Sequence, residues 1–375
     1  MIALRVSLFA TTLCVGLGVV LPANANSVTA FDLGNLGYLV AGDVWGINAT
    51  GQVVGASYLG INLHAFATGN NGVGMINLGT LGGRDSVANG INDSGQVVGN
   101  SYTTGSLYQH AFMSSTKGGA MTDLGTLGGT DSYARSINAG GQVVGHSFTK
   151  GNQSQHAFIT GANGLGMTDL GTLGGSTSIA WGINASGKVV GWSDTMPYGP
   201  AHAFITDANG GGMTDLGTLG GAYSFARGIN VSGQVVGESF TSVYGVTHAF
   251  ITGANGVGMT DIGTLGGTYS LAYGINATGQ AVGYSYIAGD AAYHAFVTGP
   301  NGGGMVDLNS LVKLANGTYF TEASAINDLG QIVAGASDGR SYLLSAVPEP
   351  ATYALMLLGL GMTISAARRV QRPSA

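Results

Sequence analysis

The side chains with the most chemical potential in this chain are its histidines, and six of them recur at one interval. His64, His110, His156, His202, His248 and His294 each open a His-Ala-Phe triplet, and each stands 46 residues after the last. Imidazoles act as general bases, proton shuttles and metal ligands. Such a series could therefore serve catalysis, or form a ring that binds a metal or an anion. Catalysis needs one constellation, with a nucleophile or carboxylate at a unique spacing, whereas a residue repeated in every unit serves each unit alike. The expectation is a structural, inter-blade part, each imidazole hydrogen-bonded at the boundary with a neighbouring unit. His146, the one histidine outside the triplets, occupies a position that varies between units and is expected to face solvent.

The acidic residues lead the same way. Asp123, Asp169, Asp215, Asp261 and Asp307 also recur once per unit. Calcium wants several oxygens gathered in one loop, so a lone aspartate per unit reads as a turn cap. A glycosidase needs two carboxylates roughly 5 to 10 Å apart in a cleft. Glu238 and Glu322 are the glutamates of the central region, and their spacing marks no pair. "GANG" and "TLGG" lack the lysine of a phosphate loop and precede strands. No catalytic residue, metal or cofactor is assigned, and the chain is expected not to be an enzyme. A net charge of −6 with no basic stripe argues against nucleic acid as a partner.

Positions that vary between otherwise similar units are more informative, because shared packing does not explain them. Two places before the isoleucine of each "Ile-Asn" pair stand Trp45, Asn89, Arg135, Trp181, Arg227, Tyr273 and Ser324. Aromatic residues and arginine are the usual anchors of binding sites. Trp45, Arg135, Trp181, Arg227 and Tyr273 are the candidate ligand-binding set, expected at one mouth of a central channel. The loops 102–109, 194–201 and 240–247 form a second variable zone, polar with scattered tyrosines.

These side chains must be held by a repeated element. Asn48, Asn92, Asn138, Asn184, Asn230, Asn276 and Asn327 mark seven units at intervals of 44 to 51 residues. Each holds four short segments rich in Val, Ile, Thr or aromatics, separated by Gly, Asn and Ser turns. "SYARSIN", "GQVVGHS", "HAFIT" and "GMTDLG" are one set, and none has helical period or length. Four antiparallel strands in about 46 residues is the arithmetic of a β-propeller. The expected fold is all-β, a seven-bladed propeller over 26–346, with a β-solenoid the alternative. The segment containing Ala134, Ala180, Ala226 and Ala272 is expected innermost, since small residues suit close packing near the axis. The last unit lacks a fourth strand, so residues 29–34 are expected beside 341–346, closing the ring without an exposed edge.

Both ends read as addresses. Arg5, the apolar run "VSLFATTLCVGLGVVL" and the small residues Ala23, Asn24 and Ala25 make residues 1–25 a secretory signal peptide. It contains Cys14, the one cysteine, so the exported chain is expected to hold no disulfide. At the other end, over 347–375, Pro348, Glu349 and Pro350 precede an apolar run over 351–367 and a basic tail over 368–375 with Arg368 and Arg369. Seventeen residues at about 1.5 Å each give roughly 25 Å of helix, enough for a bilayer core. The trailing arginines are expected on the cytoplasmic side.

This C-terminal stretch resembles the PEP-CTERM sorting signals of Gram-negative bacteria. The resemblance implies a transient inner-membrane anchor, processing near Pro348–Pro350 by an exosortase-type peptidase, and delivery to the cell surface or extracellular matrix. The "HAF", "GIN..GQVVG" and "DLGTLGG" segments resemble the bacterial HAF repeat family, which implies an extracellular setting and no particular reaction. The last unit departs from that pattern, with Ser341, Tyr342 and Leu343 in place of the triplet. Together these readings point to a non-catalytic binding or structural protein whose partner is exopolysaccharide or a surface protein. The alternative is an extracellular glycan-active enzyme using the propeller mouth, and a spacer without ligand is a third.

Overall fold

The computed structural model describes residues 28–34, 43–105 and 107–346. One repeat shows how the sequence builds its sheets. Gly128–Ile137, Val143–Thr149, Gln155–Thr160 and Met167–Asp169 form an antiparallel meander. In the first turn the Oδ1 of Asn138 accepts a hydrogen bond from the Gln142 backbone N–H at 3.0 Å. Gly141 there takes φ +74°, a conformation that a β-carbon disfavours. The hairpin before the fourth strand is a single turn at Ala162–Gly164, with Asn163 at φ 54°.

Strand order corrects the expected blade count. Five sheets stand as separate four-stranded blades, not seven. The other eight strands, from Gly220–Ile229 to Met305–Asp307, form one continuous sheet. Its two halves each keep the four-strand meander, and one parallel pairing, Thr247 with Tyr269, joins them. Neighbouring meanders approach in the same way elsewhere, at Gln155 and Thr177, where only an isolated bridge forms. Among the described residues one α-helix, the four-residue Leu308–Leu311, follows the Met305–Asp307 strand.

The ring is closed by the N-terminal strand. Val28–Asp32 pairs antiparallel with Ser341–Ala346, from Val28 opposite Ala346 to Asp32 opposite Tyr342. The sheet containing Phe320–Ile326 and Ile332–Ala336 thereby gains its fourth strand.

Two repeated hydrogen bonds join successive meanders. The backbone N–H of the alanine in five of the six His-Ala-Phe triplets donates to a serine of the next innermost strand, as in Ala157 to Ser178 and Ala203 to Ser224, both 2.9 Å. Five of the repeated asparagines donate their Nδ2 to the carbonyl of the next: Asn48 to Asn92, Asn92 to Asn138, Asn138 to Asn184, Asn184 to Asn230, and Asn230 to Asn276. Asn327 donates to the Asn48 carbonyl at 3.0 Å across the closure. Burial satisfies these polar groups rather than stranding them.

Apolar packing fills the same boundaries. Phe204 lies in one cluster with Val144, Ala157 and Ile159 of the preceding meander and with Ala180, Ile183 and Val189 of its own. Phe158 does likewise with Val98, Ala111 and Ala134. Both phenylalanines are fully buried, and each contributes about 1.5–3 kcal/mol from removal of its surface from water.

Candidate functional site

Each innermost strand carries a β-bulge that holds the variable residue. In the Gly128–Ile137 strand the pairing runs Ala134 opposite Gly145 and then Ser136 opposite Val144, leaving Arg135 out of the ladder. Trp181, Arg227, Tyr273, Asn89, Trp45 and Ser324 are skipped in the same way. An extra residue bends the strand and re-aims its side chain. In six units a glycine, such as Gly145 or Gly191, stands opposite the residue before the bulge, and in the last unit Ala334 takes that place. A β-carbon on Gly145 would lie far inside contact distance of the Tyr133 carbonyl oxygen, and Gly191 stands in the same relation to Ile179.

All seven skipped residues line one cavity of about 540 Å³ at the ring centre, together with Val87, Asn100, Tyr133 and Glu322. A narrower space of about 210 Å³ continues past the same seven and the backbone of the Gly-Ile segments.

The charges in this mouth are unevenly satisfied. The Arg135 Cζ lies 4.5 Å from the centroid of the Trp181 ring, and the Arg227 Cζ lies 4.6 Å from it. Arg227 also donates to the Oε1 of Glu238 at 2.9 Å, and Glu238 accepts from the Tyr269 hydroxyl. Among the described residues no carboxylate pairs with Arg135, which also approaches the Tyr133 ring at 6.0 Å. The Nε atoms of Arg135 and Arg227 and the Nε1 of Trp181 are buried without a hydrogen-bond partner. Burial, then the neighbouring Arg227 charge, lowers the Arg135 guanidinium to about 10. Glu322 is pushed up by burial and then by Asp43. Tyr273 is pushed up by burial first and Glu322 second.

His146 corrects an expectation. It is buried rather than solvent-facing, stacked on Tyr133 with ring centroids 4.8 Å apart. Burial, then the Arg135 charge, lowers it to about 3. His146 directly faces Tyr133 in the register. Asn100, Glu238 and Tyr284 hold the matching places opposite Val87, Phe225 and Leu271. The variable residue in "VVG.S" thus forms a second tier around the cavity, which the sequence reading passed over. The signal was available: Ala56, Asn100, His146, Trp192, Glu238 and Tyr284 vary inside a constant frame.

The six triplet histidines also need a correction. The bond each makes lies within its own sheet rather than between blades. His156 Nδ1 meets Asp169 at 2.8 Å, thirteen residues on, and His110, His202, His248 and His294 meet Asp123, Asp215, Asp261 and Asp307 at 2.7–2.8 Å. His64 meets Asn77. The aspartate's other oxygen accepts from a backbone N–H two residues later, as in Gly171 to Asp169 at 2.7 Å. This pair fastens the short outer strand and caps its turn, because three ladder residues hold that strand weakly. The bonds that cross between blades belong instead to the serines and asparagines described above.

The variable rim loops lie apart from the cavity. Tyr198 and Tyr244 are fully exposed, and Tyr223, Phe240 and Tyr244 line an open hollow of about 680 Å³ with no charged side chain.

Comparison with known proteins identifies one segment. Residues 346–372 match the PEP-CTERM protein-sorting motif. The motif implies export, membrane-associated sorting and processing by an exosortase-type protease. Its Pro348, Glu349, Pro350, Arg368 and Arg369, the run 351–367 and the leader 1–25 lie outside the described residues. Among the described residues no helix is long and apolar enough to cross a membrane. The repeats themselves fall outside the matched segment. No curated protein matches the chain. Similar solved structures include a putative TolB from Agrobacterium tumefaciens, 11% identical, covering 63% of this chain and 87% of that one with a TM-score of 0.44. The GH74 enzyme of Niastella koreensis is 16% identical and covers 82% of this chain and 43% of its own, with a TM-score of 0.49. A gluconolactonase from Xanthomonas campestris is 10% identical, with 86% and 91% coverage and a TM-score of 0.42.

Proposed function

We propose that the protein is a surface-sorted, non-catalytic binding component of the bacterial envelope or extracellular matrix, and that the propeller mouth takes exopolysaccharide. One observation carries this reading: seven bulges aim seven side chains of five kinds, rich in aromatic and arginine, into one cavity. A purely structural axis has no need for such variety, whereas ligand sites are built from aromatic walls with a few convergent polar groups. The sorting motif supports delivery to the cell surface, where the mouth would be open to extracellular glycans. The test is retention of the protein on polysaccharide from its producing cells, with Trp181→Ala and Arg227→Ala as variants. Retention that these two variants, and Trp45→Ala and Arg135→Gln as well, all leave intact would remove the mouth as the site.

A second reading, a glycan-active enzyme, draws on Glu322, which lines the cavity with a carboxyl pushed towards its protonated form. An acid of that kind is half of what glycoside hydrolysis requires. Glu238, the other glutamate among the described residues, is buried and engaged by Arg227 and Tyr269, which favours binding over hydrolysis. Shortening of the polysaccharide during incubation would reverse that preference.

A further inference from the structure

The unpaired polar atoms of the mouth share one character. Arg135 Nε, Arg227 Nε and Trp181 Nε1 are all N–H donors, and each is buried without an acceptor. Buried donors without acceptors are costly, and a cation held without a counter-charge more so. Arg227 has Glu238 on its terminal nitrogen. Arg135 has only the ring faces of Trp181 and Tyr133, and its guanidinium belongs to the cavity wall. The missing partner is therefore an anionic acceptor.

We propose that the mouth receives a carboxylate-bearing sugar residue of the uronate type, its carboxylate on the Arg135 guanidinium and its ring face on Trp45. This inference rests on the glycan-binding reading above and names the class of glycan. A planar guanidinium fork matches a carboxylate in geometry as well as in charge. The lining offers one cation lacking a counter-charge, which suits a monoanion. Trp181 is poorly placed to stack on sugar, because two guanidiniums already lie over its ring. Trp45 is the free aromatic of the set, 37% exposed at the cavity edge, and aromatic faces pack well against the C–H face of a sugar.

The experiment compares binding of the full-length protein, purified in detergent, to a galacturonate oligomer, its methyl ester and a neutral glucan oligomer of equal length. The acid oligomer is expected to bind, with the ester weaker by about tenfold or more, as loss of one charge-assisted contact implies. Arg135→Gln should bring the acid oligomer down to the ester's level and leave the ester unchanged, while Trp45→Ala should weaken both. Equal binding of acid and ester by the unaltered protein overturns the proposal without reliance on any variant. Equally tight binding of a poly-glutamate peptide overturns its sugar half. Retention of neutral glucan with no preference for acid defeats this inference and leaves the glycan-binding reading standing. Failure to retain any glycan, the producing cell's own included, defeats both.

Discussion

Arg135 and Trp181, 46 positions apart in sequence, meet across the channel mouth with the guanidinium carbon 4.5 Å from the indole centroid. Arg227 approaches the same ring at 4.6 Å, so one indole holds together two like charges. Coulomb repulsion between them is part of what lowers Arg135 to about 10. The ring's negative face offsets some of that repulsion.

Trp181→Ala should remove both cation–π contacts and a half-buried ring at once. The expected loss of stability is about 2–4 kcal/mol, read from the urea midpoint. Trp181→Phe, which keeps a π face, should recover about half. If alanine and phenylalanine unfold at one midpoint, the ring's charge-holding role is wrong.

Asp169→Ala should free the outer strand Met167–Asp169, because the carboxylate bonds both His156 and the Gly171 N–H. The cost is expected near 1 kcal/mol, since the pair is partly exposed and screened. Hydrogen exchange should accelerate at Gly171 while the innermost strand of the same sheet keeps its protection. Asp169→Asn should be far milder, because His64 already works with Asn77, whose side chain also accepts from the Gly79 N–H.

Gly145→Ala tests the bulge that aims Arg135. The new methyl would collide with the Tyr133 carbonyl, backbone that cannot swing aside. Overpacking of this kind costs about 1–3 kcal/mol or more. The predicted signature is double: a lower melting temperature and a weakened mouth site. A variant that binds and melts like the parent would mean that the glycine is not needed for the aim.

Much of this architecture was legible, for identifiable reasons. Val143, Val144, Phe158 and Ile159 announce strands through β-branched and aromatic character between Asn and Gly turns. The spare strand at Val28–Asp32 could be placed because the last unit lacks one. Arg135 and its counterparts stood out because they vary where Ile137 and Asn138 do not. What stayed hidden depends on register. A bulge leaves no trace in the alternation of "SYARSIN", so the reason for Arg135's direction was invisible. His156 and Asp169 are thirteen residues apart, and only the hairpin's pairing brings them together. The blade count differed because the contact between Thr247 and Tyr269 arises where two meanders converge, a distance no local pattern encodes.

His146 gives the sharpest pH prediction. Its folded-state value of about 3 lies below the ordinary 6.5, from burial and then the Arg135 charge. The unfolded chain therefore binds the proton more readily than the folded one wherever pH is below about 6.5. Stability should fall as pH drops through that value and go on falling towards about 3, where the folded form also protonates. At pH 5 the loss from this one group should be about 2 kcal/mol relative to pH 7.5. His146→Asn removes the titration and has a precedent in Asn100, which holds the same place one unit earlier. Urea midpoints at pH 7.5 and pH 5 should converge for the variant and diverge for the parent. Equal acid sensitivity in the two proteins would show that burial and the Arg135 charge do not hold the imidazole neutral.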